Sequence, residues 1–208
     1  DNADFYLGAA LAHRELNEYG DAMAAIGNAI HLDDMNDTYY FWRGRFHQEL
    51  KDWNESFNDY TEAVNLNPHD GYNHQSRGIS CLYMGFYDLA IEDYTFAIEI
   101  MPNTAAHYYL RGQAYFEKGD YEAAIADFTQ AIDLRPGQRS YHEMRGFAHH
   151  RRHEYELAQA EFSVCVDLEP DNTLAYYWRG LVRLNLGHFE EAFVDLHRSE
   201  ALEQESAL

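Results

Sequence analysis

Apolar residues recur along this chain with helical spacing, and they come in two alternating stripes. In residues 105–138, Tyr108 and Tyr115 belong to a first stripe, and Ile125, Phe128, Ala131 and Ile132 belong to a second. Spacings of three, four and seven residues put each set on one face of a helix. Gly119 and Asp120 interrupt the pattern between the stripes, and Asp120 is placed to cap the second helix. Asp52 and Glu55 have the spacing of a capping box at the equivalent point of an earlier segment. The pattern therefore predicts a helix–turn–helix hairpin, with both helices amphipathic.

The hairpin pattern is periodic. Pro68, Pro102, Pro136 and Pro170 stand 34 residues apart, and Gly44, Gly78, Gly112, Gly146 and Gly180 keep the same interval. Small residues follow it at Ala22, Ser56, Ala90, Ala124, Ala158 and Ala192, and again at Ala29, Ala63, Ala97, Ala131, Cys165 and Ser199. Six repeats result: 3–36, 37–70, 71–104, 105–138, 139–172 and 173–206. The small residues let two helices approach closely, and each proline ends a second helix. One hairpin cannot bury both stripes, whereas stacked hairpins can. The expectation is an all-α fold, a right-handed α-solenoid of six hairpins, with residues 1–208 forming a single array.

The fourth repeat carries a familiar signature. Tyr108, Gly112, Tyr115, Ala124, Phe128, Ala131 and Pro136 fall at repeat positions 4, 8, 11, 20, 24, 27 and 32. In this the chain resembles the tetratricopeptide repeat (TPR) family, and the six copies in phase carry the resemblance over nearly its whole length. The end repeats depart from it. Ala10 replaces the glycine and Asp34 the proline in the first repeat, and Gln204 stands at the proline position of the sixth. No seventh, solvating helix follows, and the chain starts without Met, so a fragment of a longer protein is expected.

Charged residues repeat as well. Arg43, Arg77, Arg111, Arg145 and Arg179 each precede by 16 residues an acid: Asp59, Asp93, Asp127, Glu161 and Asp195. In the first repeat both positions are alanine, Ala9 and Ala25. Two partners present together five times and absent together once predict an ion pair inside each hairpin.

Composition narrows the function. With 36 Asp and Glu against 15 Lys and Arg, the formal net charge is −21. Nucleic-acid binding needs a basic stripe, so it is excluded as an expectation, and anionic membranes are equally unsuited. No apolar run is long enough to span a bilayer. There is no phosphate-binding glycine loop, no HExxH and no CxxC. Cys81 and Cys165 read as small apolar fillers. His149 and His153 have metal-ligand spacing, but His149 occupies the packing position of Tyr115, and Arg151 and Arg152 stand beside it. No enzymatic activity, cofactor or metal is expected. No signal peptide is evident, and a cytoplasmic location is the expectation.

The resemblance implies that repeat positions 2, 5, 9, 12 and 13 face a concave groove that binds peptides or partner proteins. Phe41, Arg45, Tyr72, Gln75, Tyr109, Gln113, Phe116, Phe147 and Tyr177 are the candidate groove residues. They make an aromatic, near-neutral surface, which suits apolar anchors and a peptide backbone. The lysines, Lys51 and Lys118, lie near hairpin turns, so the basic clamp that some family members use on C-terminal carboxylates is missing. The acidic exterior suits a basic partner. Some of these aromatics could equally pack on the neighbouring first helix. Two alternatives to an interaction scaffold stay open: the targeting arm of a larger enzyme, and an array that self-associates through its uncapped ends.

Overall fold

A computed structural model describes residues 2–206. Among them lie twelve helices and no strand. The chain divides into two compact units, residues 1–102 and 103–208. The N-terminal unit holds α1 (Ala3–Glu15), α2 (Tyr19–Leu32), α3 (Asp37–Glu49), α4 (Trp53–Leu66), α5 (Gly71–Met84) and α6 (Tyr87–Ile100). The C-terminal unit holds α7 (Ala105–Lys118), α8 (Tyr121–Leu134), α9 (Arg139–Arg151), α10 (Tyr155–Leu168), α11 (Thr173–Asn185) and α12 (Phe189–Ser206). Each unit is three hairpins, and in each the second helix of a hairpin packs on the first helix of the next. This is the hairpin stack that the period predicts.

The turn inside every hairpin is closed the same way. Position 15 has positive φ in all six repeats, at Asn17, Lys51, Gly85, Gly119, His153 and Gly187. The amide of position 16 then donates back to the carbonyl of position 11, as from Asp120 to Tyr115 at 2.9 Å and from Phe86 to Cys81 at 2.8 Å. This is a Schellman ending, which needs one left-handed residue and favours glycine there. Asp120 caps α8, its carboxylate accepting from the Ala123 amide at 3.1 Å. Asp52 does not make the capping-box bond: it stands at the N-cap of α4 without a side-chain cap bond. Its carboxylate lies 3.8 Å from His47 Nδ1 instead.

Within a hairpin the helices approach until a side chain at position 24 rests on a bare backbone at position 8. A Cβ added to Gly44 would meet the Tyr60 ring at 3.1 Å, and one added to Gly112 would meet the Phe128 ring at 2.7 Å. Tyr60, Tyr94, Phe128 and Phe162 are almost wholly buried. In the first repeat the pair is Ala10 with Ile26, both fully buried, a larger residue facing a smaller one.

The five ion pairs are made. Arg43 Nη2 lies 2.6 Å from Asp59, Arg77 2.7 Å from Asp93, Arg111 2.8 Å from Asp127, Arg145 2.7 Å from Glu161 and Arg179 2.7 Å from Asp195. Arg43, Arg77, Arg111 and Arg179 also donate through Nε to the same carboxylate. The Asp side chains are buried, so they need this satisfaction. In two repeats a histidine at position 4 ties the pair to the preceding hairpin. His74 Nδ1 lies 2.9 Å from Asp93 while its Nε2 lies 3.1 Å from the Pro68 carbonyl. His142 repeats this with Glu161 and Pro136. Both nitrogens of each ring face acceptor oxygens, so both bonds form together only on a ring that carries both protons.

Cys81 and Cys165 are free and fully buried, and burial pushes each thiol up to about 12. His149 and His153 do not converge. His149 Nδ1 bonds Glu154 at 2.7 Å, and His153 bonds the Tyr155 hydroxyl at 2.8 Å from its left-handed turn position.

Arg111→Ala strands the buried Asp127 carboxylate, so it should cost more than the ~1 kcal/mol ceiling of surface pairs. A double-mutant cycle with Asp127→Ala, read by denaturant unfolding, should then give clear positive coupling. Additive losses would contradict the pairing. At pH 8 the buried thiols hold almost no thiolate, so iodoacetamide should modify Cys81 and Cys165 only after unfolding. Mass spectrometry of native protein labelled at the rate of a free thiol would contradict this burial.

Candidate functional site

In the N-terminal unit three of the candidate groove residues meet. Phe41 and Arg45 on α3 and Gln75 on α5 line one cleft of about 340 Å³, with Gln48 and Glu49 of α3 and Ile79 of α5. Tyr60 of α4 and Ser76 of α5 complete its lining. Position 5 of one first helix (Phe41) therefore faces positions 5 and 9 of the next (Gln75 and Ile79), as a stack of parallel first helices requires. Tyr60 and Ser76 are not groove positions by sequence. Tyr60 enters because its position 24 ring reaches up between α3 and α5, and its hydroxyl donates to Gln48 Oε1 at 3.0 Å. No sequence sign marks it, because Tyr94 holds the same position in the next repeat and is fully buried.

The charges around this cleft are unevenly compensated. Glu49 is held from outside it: Arg14 of α1 lies 2.6 Å away, and the Tyr19 hydroxyl donates at 3.2 Å. The Arg14 hydrogen bond holds the Glu49 carboxyl below its ordinary range. The bridge between the first two hairpins therefore stands at neutral pH and is lost only as the pH falls through that lowered value. Arg45 lies farther from the same carboxylate, at 3.8 Å, and its guanidinium rests over the Trp42 ring. Burial raises the Tyr60 phenol, so it stays a neutral donor.

Tyr72 does not line this cleft. It is 61% exposed and borders a second hollow of about 240 Å³, shared with Phe41, Trp42 and Asp37. Next to it in sequence, Asn73 is buried and structural, donating to Asp37 and to the Ala63 carbonyl.

In the C-terminal unit the candidates divide. Gln113 donates to the Tyr109 hydroxyl at 3.1 Å, and the Tyr109 ring packs 4.9 Å from Tyr141. Phe116 lies edge-on to Tyr121, with the Arg151 guanidinium over it at 5.9 Å. Phe147 is a packing residue, its ring 5.3 Å from Phe162 and 4.9 Å from Trp178. Tyr177 remains 42% exposed. Among the described residues no helix is long and apolar enough to cross a membrane.

Comparison with known proteins agrees with this architecture. Residues 37–70 and 105–138 match family models described as Tetratricopeptide repeat, and residues 78–119 match one described as TPR repeat. No curated protein sequence matches the chain. Solved structures are similar in fold. MamA from Desulfovibrio magneticus RS-1 has a TM-score of 0.79 at 22% identity, covering 83% of this chain and 97% of that one. PilW, described as a widely conserved type IV pilus biogenesis factor, has a TM-score of 0.83 at 14% identity, covering 96% and 92%. YrrB, described as a TPR protein with an unusual peptide-binding site, has a TM-score of 0.72 at 14% identity, covering 86% and 93%. With two of the matched models falling on whole repeats and the same hairpin formed six times among the described residues, the chain is built of tetratricopeptide repeats.

Proposed function

We propose that residues 3–206 act as one non-catalytic interaction array and that a partner peptide engages the cleft over Tyr60. The observation that carries this reading is the convergence of Phe41, Arg45 and Gln75 on one cleft of about 340 Å³. Phe41 and Ile79 offer an apolar wall to an anchoring side chain. Gln48, Gln75 and Arg45 offer amide and guanidinium groups to a peptide backbone. A few placed polar groups on an apolar wall are the usual chemistry of such sites. Tyr72, exposed on the far side of Phe41, extends the surface for a segment longer than the cleft.

In the C-terminal unit, Tyr109, Gln113, Phe116 and Tyr177 form that unit's own proposed contact surface. Phe147 supports it from beneath rather than touching a ligand, because its ring is spent on Phe162 and Trp178. The likeness to YrrB, whose structure is described as having a peptide-binding site, supports the reading by analogy of fold. The net charge of −21 adds long-range attraction for partners with basic segments outside the anchor.

Peptides selected from a random library on the 208-residue chain test this directly. Their affinity should fall at least about tenfold, or ~1.4 kcal/mol, for Tyr72→Ala and for the pair Arg45→Ala/Gln75→Ala. Unchanged affinity for variants whose circular dichroism is native would contradict the assignment.

A further inference from the structure

Arg45 is a charged residue at repeat position 9, which holds Leu11, Ile79, Gln113, Phe147 and Leu181 in the other repeats. The fold makes little use of its charge. Among the described residues its guanidinium makes no hydrogen bond: Nε stops 3.8 Å from Glu49, and the group rests over the Trp42 ring at 5.4 Å. Glu49 is already held from the other side. Arg14 Nε reaches both Glu49 oxygens at 3.0 Å, Arg14 Nη2 lies 2.6 Å from one of them, and the Tyr19 hydroxyl donates to the other. The arginines of the hairpin pairs, by contrast, each donate to an acid. Arg45 therefore brings a positive charge and a full set of guanidinium N–H donors to the cleft wall.

Its neighbour suits the same ligand. The Tyr60 hydroxyl donates to Gln48 Oε1 at 3.0 Å, which leaves the Gln48 NH2 as the group offered to a ligand. Arg45 and Gln48 stand three residues apart on α3, on one helical face, and both line the cleft. A planar guanidinium beside an amide N–H suits a carboxylate, because such charge-assisted bonds are about twice as strong as neutral ones. A backbone carbonyl could accept from the same donors, but it would leave the charge uncompensated.

The helix sets the spacing. Phe41 and Arg45 are four residues apart on α3, about 6 Å along its axis, which is about two residues of extended chain. Side chains two residues apart on an extended segment point the same way. The path does not end at Arg45, because hollows follow one another along α5. Tyr72 borders one of about 240 Å³ that shares Phe41 with the cleft. Met84, at the other end of α5, borders one of about 330 Å³ with Trp53. A carboxylate on Arg45 thus belongs to a side chain within the segment.

We infer that the cleft selects a peptide with an aspartate or glutamate side chain two residues from its apolar anchor. The anchor lies on Phe41 and Ile79, and the carboxylate on Arg45 and Gln48. The inference rests on the cleft over Tyr60 being the peptide site, and it assigns Arg45 and Gln48 to a partner side chain instead of the partner backbone. Local and long-range charge then act in opposite directions. The net charge of −21 repels acidic peptides as a whole, so the preferred segment carries an acid at that position and is otherwise neutral or basic. Arg45 is the specificity-determining residue of the cleft.

Peptides selected on the 208-residue chain should therefore carry Asp or Glu two residues from an aromatic or aliphatic residue. Fluorescence anisotropy on one such peptide tests the contact. Changing the acid to its amide should weaken binding to the wild type about tenfold or more, and leave binding to Arg45→Ala nearly unchanged. Changing the acid to lysine should weaken binding to the wild type further, and Arg45→Glu should recover it. Amidating the C-terminus of the peptide should have no effect. Equal losses on wild type and Arg45→Ala would overturn the inference. So would peptides that lose affinity for Tyr72→Ala or Ile79→Ala yet carry no acid at that spacing; both results leave the cleft itself as the peptide site. Loss of binding on C-terminal amidation would overturn it in favour of a terminal carboxylate. Peptides indifferent to both Tyr72→Ala and Ile79→Ala would overturn the cleft reading, and this inference with it.

Discussion

Everything in this molecule depends on how closely two helices can approach within one hairpin. The closest point is repeat position 8, where glycine leaves the backbone bare for the side chain at position 24. Four times that side chain is an aromatic ring, and a single added Cβ would lie 2.7–3.1 Å from it. In the sixth repeat it is Leu196, 2.8 Å from a Cβ added to Gly180. That contact sets the separation at which the Arg at position 7 reaches the acid at position 23. It also sets the level at which Tyr60 emerges between α3 and α5. Interiors packed at this density respond to one methylene, so the position admits few residue pairs.

The ion pair and the junction bonds build outward from that approach. A carboxylate buried beneath its own hairpin is tolerable only because a guanidinium grips it by two nitrogens. In the third and fifth repeats the same carboxylate is tied through His74 or His142 to a proline carbonyl of the preceding hairpin. In those two repeats local packing, charge satisfaction and stacking are thus coupled through one carboxylate, that of Asp93 or Glu161. Buried pairs of this kind favour one register more than they add stability.

The fold was readable because its determinants are short-range and repeated six times. The Pro and Gly intervals gave the hairpins, and the joint loss of charge at Ala9 and Ala25 gave the pairing. The Asp52–Glu55 box was misread because spacing cannot show that His47, across the turn, offers Asp52 another partner. Only part of the candidate site was legible. Register put Phe41, Arg45 and Gln75 on one side of their helices, and the cleft contains all three. Register could not show that Phe147 leans onto Trp178, because that depends on bulk supplied by the next hairpin. Nor could it show that Tyr60, a core position by pattern, carries its hydroxyl to the cleft wall.

The first repeat contains a natural rearrangement of the close approach: Ala10 in place of glycine, with Ile26 in place of a ring. Transplanting that pair into the fourth repeat measures the constraint itself. Guanidinium unfolding of Gly112→Ala, Phe128→Ile and the double variant forms the cycle. If the ring on bare backbone fixes the hairpin, the double variant should be more stable than the sum of the two single losses predicts, by about 1 kcal/mol or more. Losses that simply add would contradict the claim, showing that Gly112 and Phe128 act separately.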